Sequence, residues 1–203
     1  DGIRDKLVTG VQTLLFRSLP VRYRADAVLT VSDPLRDLFM QAGFPEKRIR
    51  PIYYGLDAAL FRPGLAEDAE LSGPPVVVMH GSFDEHHLGP IAVEAAVRLG
   101  ELRPDARWRF VGRETAALRR FVAAVRRRRP GFAPERPGFL PYEQVPAAVA
   151  GGSVGVTPYE PSTGTHCAFV AKTVEYLALG LPVVSTPLES AQRYYAGLGG
   201  VRF

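Results

Sequence analysis

Sulfur is nearly absent from this chain. Its 203 residues include a single cysteine, Cys167, so no internal disulfide can brace the fold. That usage fits a reducing compartment. No apolar run approaches the roughly 20 residues needed to span a bilayer, and the opening DGIRDKLVTG does not read as a signal peptide. There is no paired-aspartate D-x-D motif, no internal repeat and no low-complexity segment. Neither sign of charge dominates: 25 basic against 21 acidic side chains leave a formal charge of +4. That excess is too small to demand nucleic acid, and no basic face with interleaved aromatics appears. The expectation is therefore no nucleic-acid partner.

The composition is that of a globular protein. Hydrophobic residues make up 46% of it, enough for a proper core. The cations are overwhelmingly arginine, which matches phosphate and carboxylate bidentately. A mild basic excess of this kind suits anionic partners such as nucleotide diphosphates or a lipid surface.

Apolar spacing over residues 5–18 (Leu7, Val11, Leu14, Leu15) predicts a basic amphipathic helix, packed on a domain or lying on a membrane. Ala27 to Val31 reads as a short buried strand. Ser32 is placed to cap the next helix, with Pro34 in its first turn and Gly43 as its stop. Residues 62–75 are rich in Pro, Gly and acids and read as a linker. Val76 to Met79 then opens an alternation: helix near 90–101, strand 107–111, helix 114–128, strand 136–140, helix 142–150, strand 153–157, helix 169–179, strand 182–185. Alternating strands and helices imply a parallel sheet with right-handed crossovers. The fold class expected is α/β, a Rossmann-like parallel sheet flanked by helices.

The segment Phe169 to Thr186, FVAKTVEYLALGLPVVST, places Lys172 and Glu175 on one helical face. Its Glu points at the carboxyl edge of the sheet, where open α/β folds bind ligands. The segment resembles the nucleotide-sugar motif of GT-B glycosyltransferases of the large retaining family 4. Three other stretches resemble that family in the same order: ADAVLTVS at 25–32 with YGLD at 54–57 and FRP at 61–63; WRFVG at 108–112; and GFLPYEQVPAAVAGGSVGVTPY at 138–159. The matches run over about residues 25–188.

The resemblance implies one half of a GT-B fold. Residues 1–62 correspond to the tail of an acceptor-side domain, 63–75 to the linker, and 76–203 to a shortened donor-binding domain. A fragment or a shortened relative is the expectation. It implies Glu175 and Lys172 as the catalytic pair, holding donor hydroxyls and neutralising the diphosphate leaving group. Donor contacts fall on Gly81, Ser82, Arg113, Phe139, Leu140, Gly164 and Thr165. Phe139 and Leu140 flank the base, Arg113 reaches toward the phosphates, and the loop 159–166 cradles the β-phosphate. On composition alone Glu175 is a solvated carboxylate at a helix start, Phe139 a core residue and the 159–166 loop an ordinary polar turn.

The sequence also departs from the family. The strand-end turn GSFDEHHLG carries Ser82 and Leu88 where the family has a phosphate-gripping Arg and Lys. His86 and His87 lie close by; at most one of two neighbours faces the crevice, and no ligand spacing makes them a metal site. Cys167 stands where many members carry a first glutamate, eight residues before Glu175. The expected activity is sugar transfer from a nucleotide-diphosphate donor to a hydroxyl of a carbohydrate or lipid-linked acceptor. No cofactor or metal is expected, and the expected location is cytoplasmic, with contact at the inner membrane face a further option. The alternative is a non-catalytic nucleotide-binding or partner module.

Overall fold

The structure is a computed structural model that describes residues 25–65 and 73–203. The amphipathic segment 5–18 lies outside the described residues, as does most of the expected linker. The chain divides into two compact units.

The first unit takes residues 25–54, Ser162–Phe169 and Leu188–Tyr194. Strand β1 (Val28–Thr30) pairs in parallel with β2 (Ile49–Pro51), and helix α1 (Asp33–Gln41) connects them. Ser32 caps α1 through its hydroxyl, which accepts from the Leu35 N–H at 3.2 Å, and Pro34 sits in the first turn. Gly43, at φ 88°, supplies the left-handed residue that ends the helix. Phe39, Phe44 and Ile49 form the core, with Ala25, Val28 and Leu35 against it. Later in the chain, helices α5 (Thr163–Cys167) and α7 (Glu189–Tyr195) contribute to this unit. The Ser32 hydroxyl donates to the Cys167 carbonyl at 2.5 Å, and Arg193 bridges Asp37 and Glu189.

The second unit is a six-stranded, wholly parallel sheet. Its strands are β3 (Val76–His80), β4 (Arg107–Val111), β5 (Glu135–Gly138), β6 (Val154–Thr157), β7 (Val183–Ser185) and β8 (Val201–Arg202), in the spatial order 5-4-3-6-7-8. The helices between them are α2 (Pro90–Leu102), α3 (Ala116–Arg128), α4 (Val145–Ala150) and α6 (Ala171–Ala178). Every residue of β3 is buried, as its unbroken apolar run predicts for a central parallel strand. Pro137 sits in β5, an edge strand, where its missing N–H costs no ladder bond.

The chain leaves β3 toward β4 and β5, then returns to β6 on the other side. The order thus reverses between β3 and β6. The carboxyl ends of those two strands form the switch point at which open α/β sheets bind ligands.

Candidate functional site

Three neighbouring strands end in glycine. Gly81 follows β3 at φ 97° and Gly138 closes β5 at φ 87°, both left-handed. Gly112 follows β4 and touches the Gly81 carbonyl; a Cβ there would lie 2.1 Å from that oxygen. Hydrogen bonds from Gly81 N–H to Val111 O (2.9 Å) and from Gly112 N–H to Gly138 O (3.0 Å) stitch the ends together. The result is a shelf of bare backbone beside the switch point.

Helix α6 brings Lys172 and Glu175 to this shelf. Its N-cap residue, Val170, has no side-chain capping bond, so the helix start keeps its positive end open. Tyr176, on the same helix, is fully buried. Gly155 of β6 makes room for it: a Cβ there would meet the ring at 2.4 Å. Lys172 lies beside Gly81, where a Cβ would stand 3.6 Å from its Nζ, and over the Tyr159 ring at 5.4 Å. Burial pulls its ammonium down to about 8, against the upward pull of Asp84 and Glu175. Burial in turn raises the Tyr159 phenol.

The two histidines of the strand-end turn separate. His86 is exposed. His87 packs its ring on Tyr159 at 4.3 Å and sets Nδ1 3.0 Å from Asp84. Desolvation first, then the charge of Lys172, drives its pKa well below the ordinary value. His87 is therefore uncharged at neutral pH and replaces neither missing cation. Leu88 is 6% exposed and belongs to the core, while Ser82 is exposed. The start of α2 is also occupied: the Ile91 N–H donates to Glu160 Oε1 at 2.7 Å. A carboxylate already sits there, whereas the start of α6 carries no side-chain cap.

Arg113 and Phe139 come together at the ends of β4 and β5. The guanidinium lies 4.5 Å from the ring centroid, and the ring is 66% exposed. Phe139 is therefore not a core residue, and its ring is open to solvent at the strand end. Leu140 beside it is half-buried. Gly164 and Thr165 belong to the first unit. The polar loop expected at 159–166 closes at its end into α5, because Ser162 and Thr165 form a reciprocal capping box. The Thr165 hydroxyl accepts from the Ser162 N–H at 2.7 Å, and so serves the cap.

Three participants were not singled out in the sequence: His80, Asp84 and Tyr142. His80 ends β3 with Nε2 2.7 Å from Glu175 Oε2. Tyr142 stands half-exposed, its phenol raised by burial and by the charges of Glu175 and Asp57. A lone polar residue closing an apolar strand before a glycine is the one signal that could have marked His80.

Among the described residues no helix is long and apolar enough to cross a membrane. No protein-family model and no curated protein matches the chain. Solved structures do. HepE from Anabaena, in complex with UDP and glucose, matches at a TM-score of 0.65 and 20% identity, over 83% of this chain and 46% of its own. A glycosyltransferase from Rickettsia africae matches at 0.70 and 16%, over 90% and 50%. WaaG, a glycosyltransferase of lipopolysaccharide biosynthesis, matches at 0.67 and 16%, over 91% and 54%. The chain spans about half the length of these structures. With its parallel sheet, its switch point and these neighbours, the chain is built on the GT-B glycosyltransferase fold.

Proposed function

We propose that this chain forms the donor-binding part of a glycosyltransferase, holding a nucleotide-diphosphate sugar at the β3/β6 switch point. The observation that carries the reading is the pair on α6: a half-buried ammonium and a carboxylate three residues apart, beside a backbone shelf and an uncapped helix start. The diphosphate accepts N–H groups from the helix start and the charge of Lys172, where negative charge develops as the sugar leaves. Glu175 accepts from hydroxyls of the ribose or the sugar. Phe139 stacks the base, with Arg113 lying on that ring rather than extended toward the phosphates. Uridine is the first base to test, since HepE was solved with UDP. Retention of configuration and independence from metal are part of the proposal, as are a hydroxyl acceptor and contact with a membrane face.

The test is a thermal-shift screen against UDP, GDP, dTDP and ADP, with and without magnesium. A ligand at 100 times its dissociation constant stabilises by about 2.7 kcal/mol, a rise of about 5–10 °C at this size. One nucleotide giving that shift without metal supports the proposal; no shift with any refutes it.

One observation favours a second reading, a nucleotide-binding module without transfer activity. Where the family has an Arg and a Lys, this chain has an exposed serine and a core leucine, and His87 is uncharged. Slow hydrolysis of the bound sugar nucleotide separates the two: measurable hydrolysis that Lys172→Met abolishes supports the enzyme, and tight binding without turnover supports the module.

A further inference from the structure

Glu175 does not face the crevice unaided. Its Oε2 meets Nε2 of His80 at 2.7 Å, and His80 is 6% exposed at the end of the central strand. The imidazole is held from several sides. Its residue's N–H donates to the Tyr176 hydroxyl at 3.1 Å, and the Tyr176 ring meets the imidazole edge-on at 4.9 Å. Tyr176 in turn is seated on Gly155. Nδ1 is buried and has no hydrogen-bond partner among the described residues.

A buried imidazole with one partnered nitrogen keeps its proton there, because an N–H on the unpartnered nitrogen would be left unsatisfied. Nε2–H therefore donates to the carboxylate. A free glutamate would have to lose rotamer freedom each time it met a ligand. Here the loss is taken on folding, and Oε2 is committed while Oε1 stays available as an acceptor. The other four residues of β3 are apolar. A polar residue at this strand end, aimed at the one carboxylate of the α6 pair, serves the site better than the core, since burying such a pair adds little stability.

We propose that His80 is a positioning residue: it fixes Glu175 so that Oε1 is presented to a hydroxyl of the sugar-nucleotide donor. This rests on the donor-site reading above and adds to it a residue outside the motif.

The test is a double-mutant cycle on the full chain with UDP-glucose, GDP-mannose, dTDP-glucose and ADP-glucose as probes, followed by titration calorimetry. If His80 acts through Glu175, His80→Leu and Glu175→Ala each weaken binding of the selected probe by about tenfold, and the double variant loses no more than the worse single one. His80→Gln, whose amide can donate from nearly the same place, recovers most of the loss. Losses that multiply in the double variant, or no recovery with Gln, overturn the proposal. Ring nitrogen spectra provide a readout that needs no ligand. They are expected to show His80 protonated on Nε2 and altered by Glu175→Ala; a proton on Nδ1 overturns the pairing. A wild type that binds none of the probes overturns the donor-site reading, and the nitrogen spectra still decide the pairing by themselves.

Discussion

Replacing Lys172 by methionine is expected to stabilise the free protein while removing its affinity for a diphosphate. Burial lowers the Lys172 ammonium from 10.5 to about 8. Each pH unit of displacement corresponds to about 1.4 kcal/mol, so holding the charged form in the folded protein costs on the order of 3 kcal/mol. Residual exposure of the side chain trims this to about 2. Methionine keeps the linear stem and fills the same space. What is lost is the contact with Tyr159, worth about 0.5–1 kcal/mol. The net gain is about 1–1.5 kcal/mol at pH 7, or a rise in Tm of about 2–6 °C.

The sign can be followed with pH. Between about 8 and 10.5 the unfolded chain holds a proton that the folded protein has released, so wild-type stability rises with pH through that window. Below 8 the cost is fully present, and above 10.5 it is gone. The advantage of Lys172→Met should therefore shrink steadily from pH 8 and vanish near 10.5. Tyr53, raised to about 12, and the buried Tyr159 and Tyr176 weaken the fold above about pH 10, but in both proteins alike. Urea denaturation at pH 7, 8, 9 and 10 on both proteins measures the difference. A variant less stable at pH 7, or a difference flat with pH, would show that the ammonium is solvated or paired and refute the reasoning.

Donor affinity of the wild type should fall about tenfold per pH unit above 8, as the free site loses its cation, until the pKa of the bound state is passed; calorimetry between pH 7 and 10 checks this, and a flat profile removes Lys172 from the phosphate site. Gly112→Ala puts a Cβ 2.1 Å from the Gly81 carbonyl, and should cost about 3 kcal/mol in urea denaturation and abolish nucleotide binding, since the shelf must part. Gly155→Ala drives a Cβ into the Tyr176 ring; it should cost about 1–3 kcal/mol and also weaken donor binding, because Tyr176 seats His80.

The fold was legible because its signals are local. Ser32, Pro34 and Gly43 mark the ends of α1 wherever the rest of the chain goes. The apolar run Val76–Met79 and the alternation after it give a parallel sheet through the short reach of each crossover. What escaped was set by distant partners. The helix Thr163–Cys167 has no apolar period; it forms because Ser162 and Thr165 cap each other and Ser32 reaches the Cys167 carbonyl. The last elements, Glu189–Tyr195 and Val201–Arg202, are too short for a period to declare itself, and β8 exists by pairing with β7.

The site was legible as an inventory of residue types and not as an inventory of charges. Sequence reasoning counts a cation wherever a basic residue stands near the motif: Lys172, Arg113, His86, His87. Solvation and partners decide how many reach the crevice. Arg113 lies on Phe139, His86 is turned to water, and His87 is kept uncharged by burial and by Lys172 itself. Among the described residues one ammonium, that of Lys172, is left at the switch point, and burial makes it a costly one to keep. A desolvated cation interacts more strongly with an incoming diphosphate than a solvated one does, because the same low dielectric that lowers its pKa strengthens its attraction. The loss of the Ser82 and Leu88 cations therefore does not by itself argue against donor binding. On the proposed donor site the electrostatic work falls to Lys172 and the open start of α6, and binding is then expected to depend on pH where a site built on arginine would not.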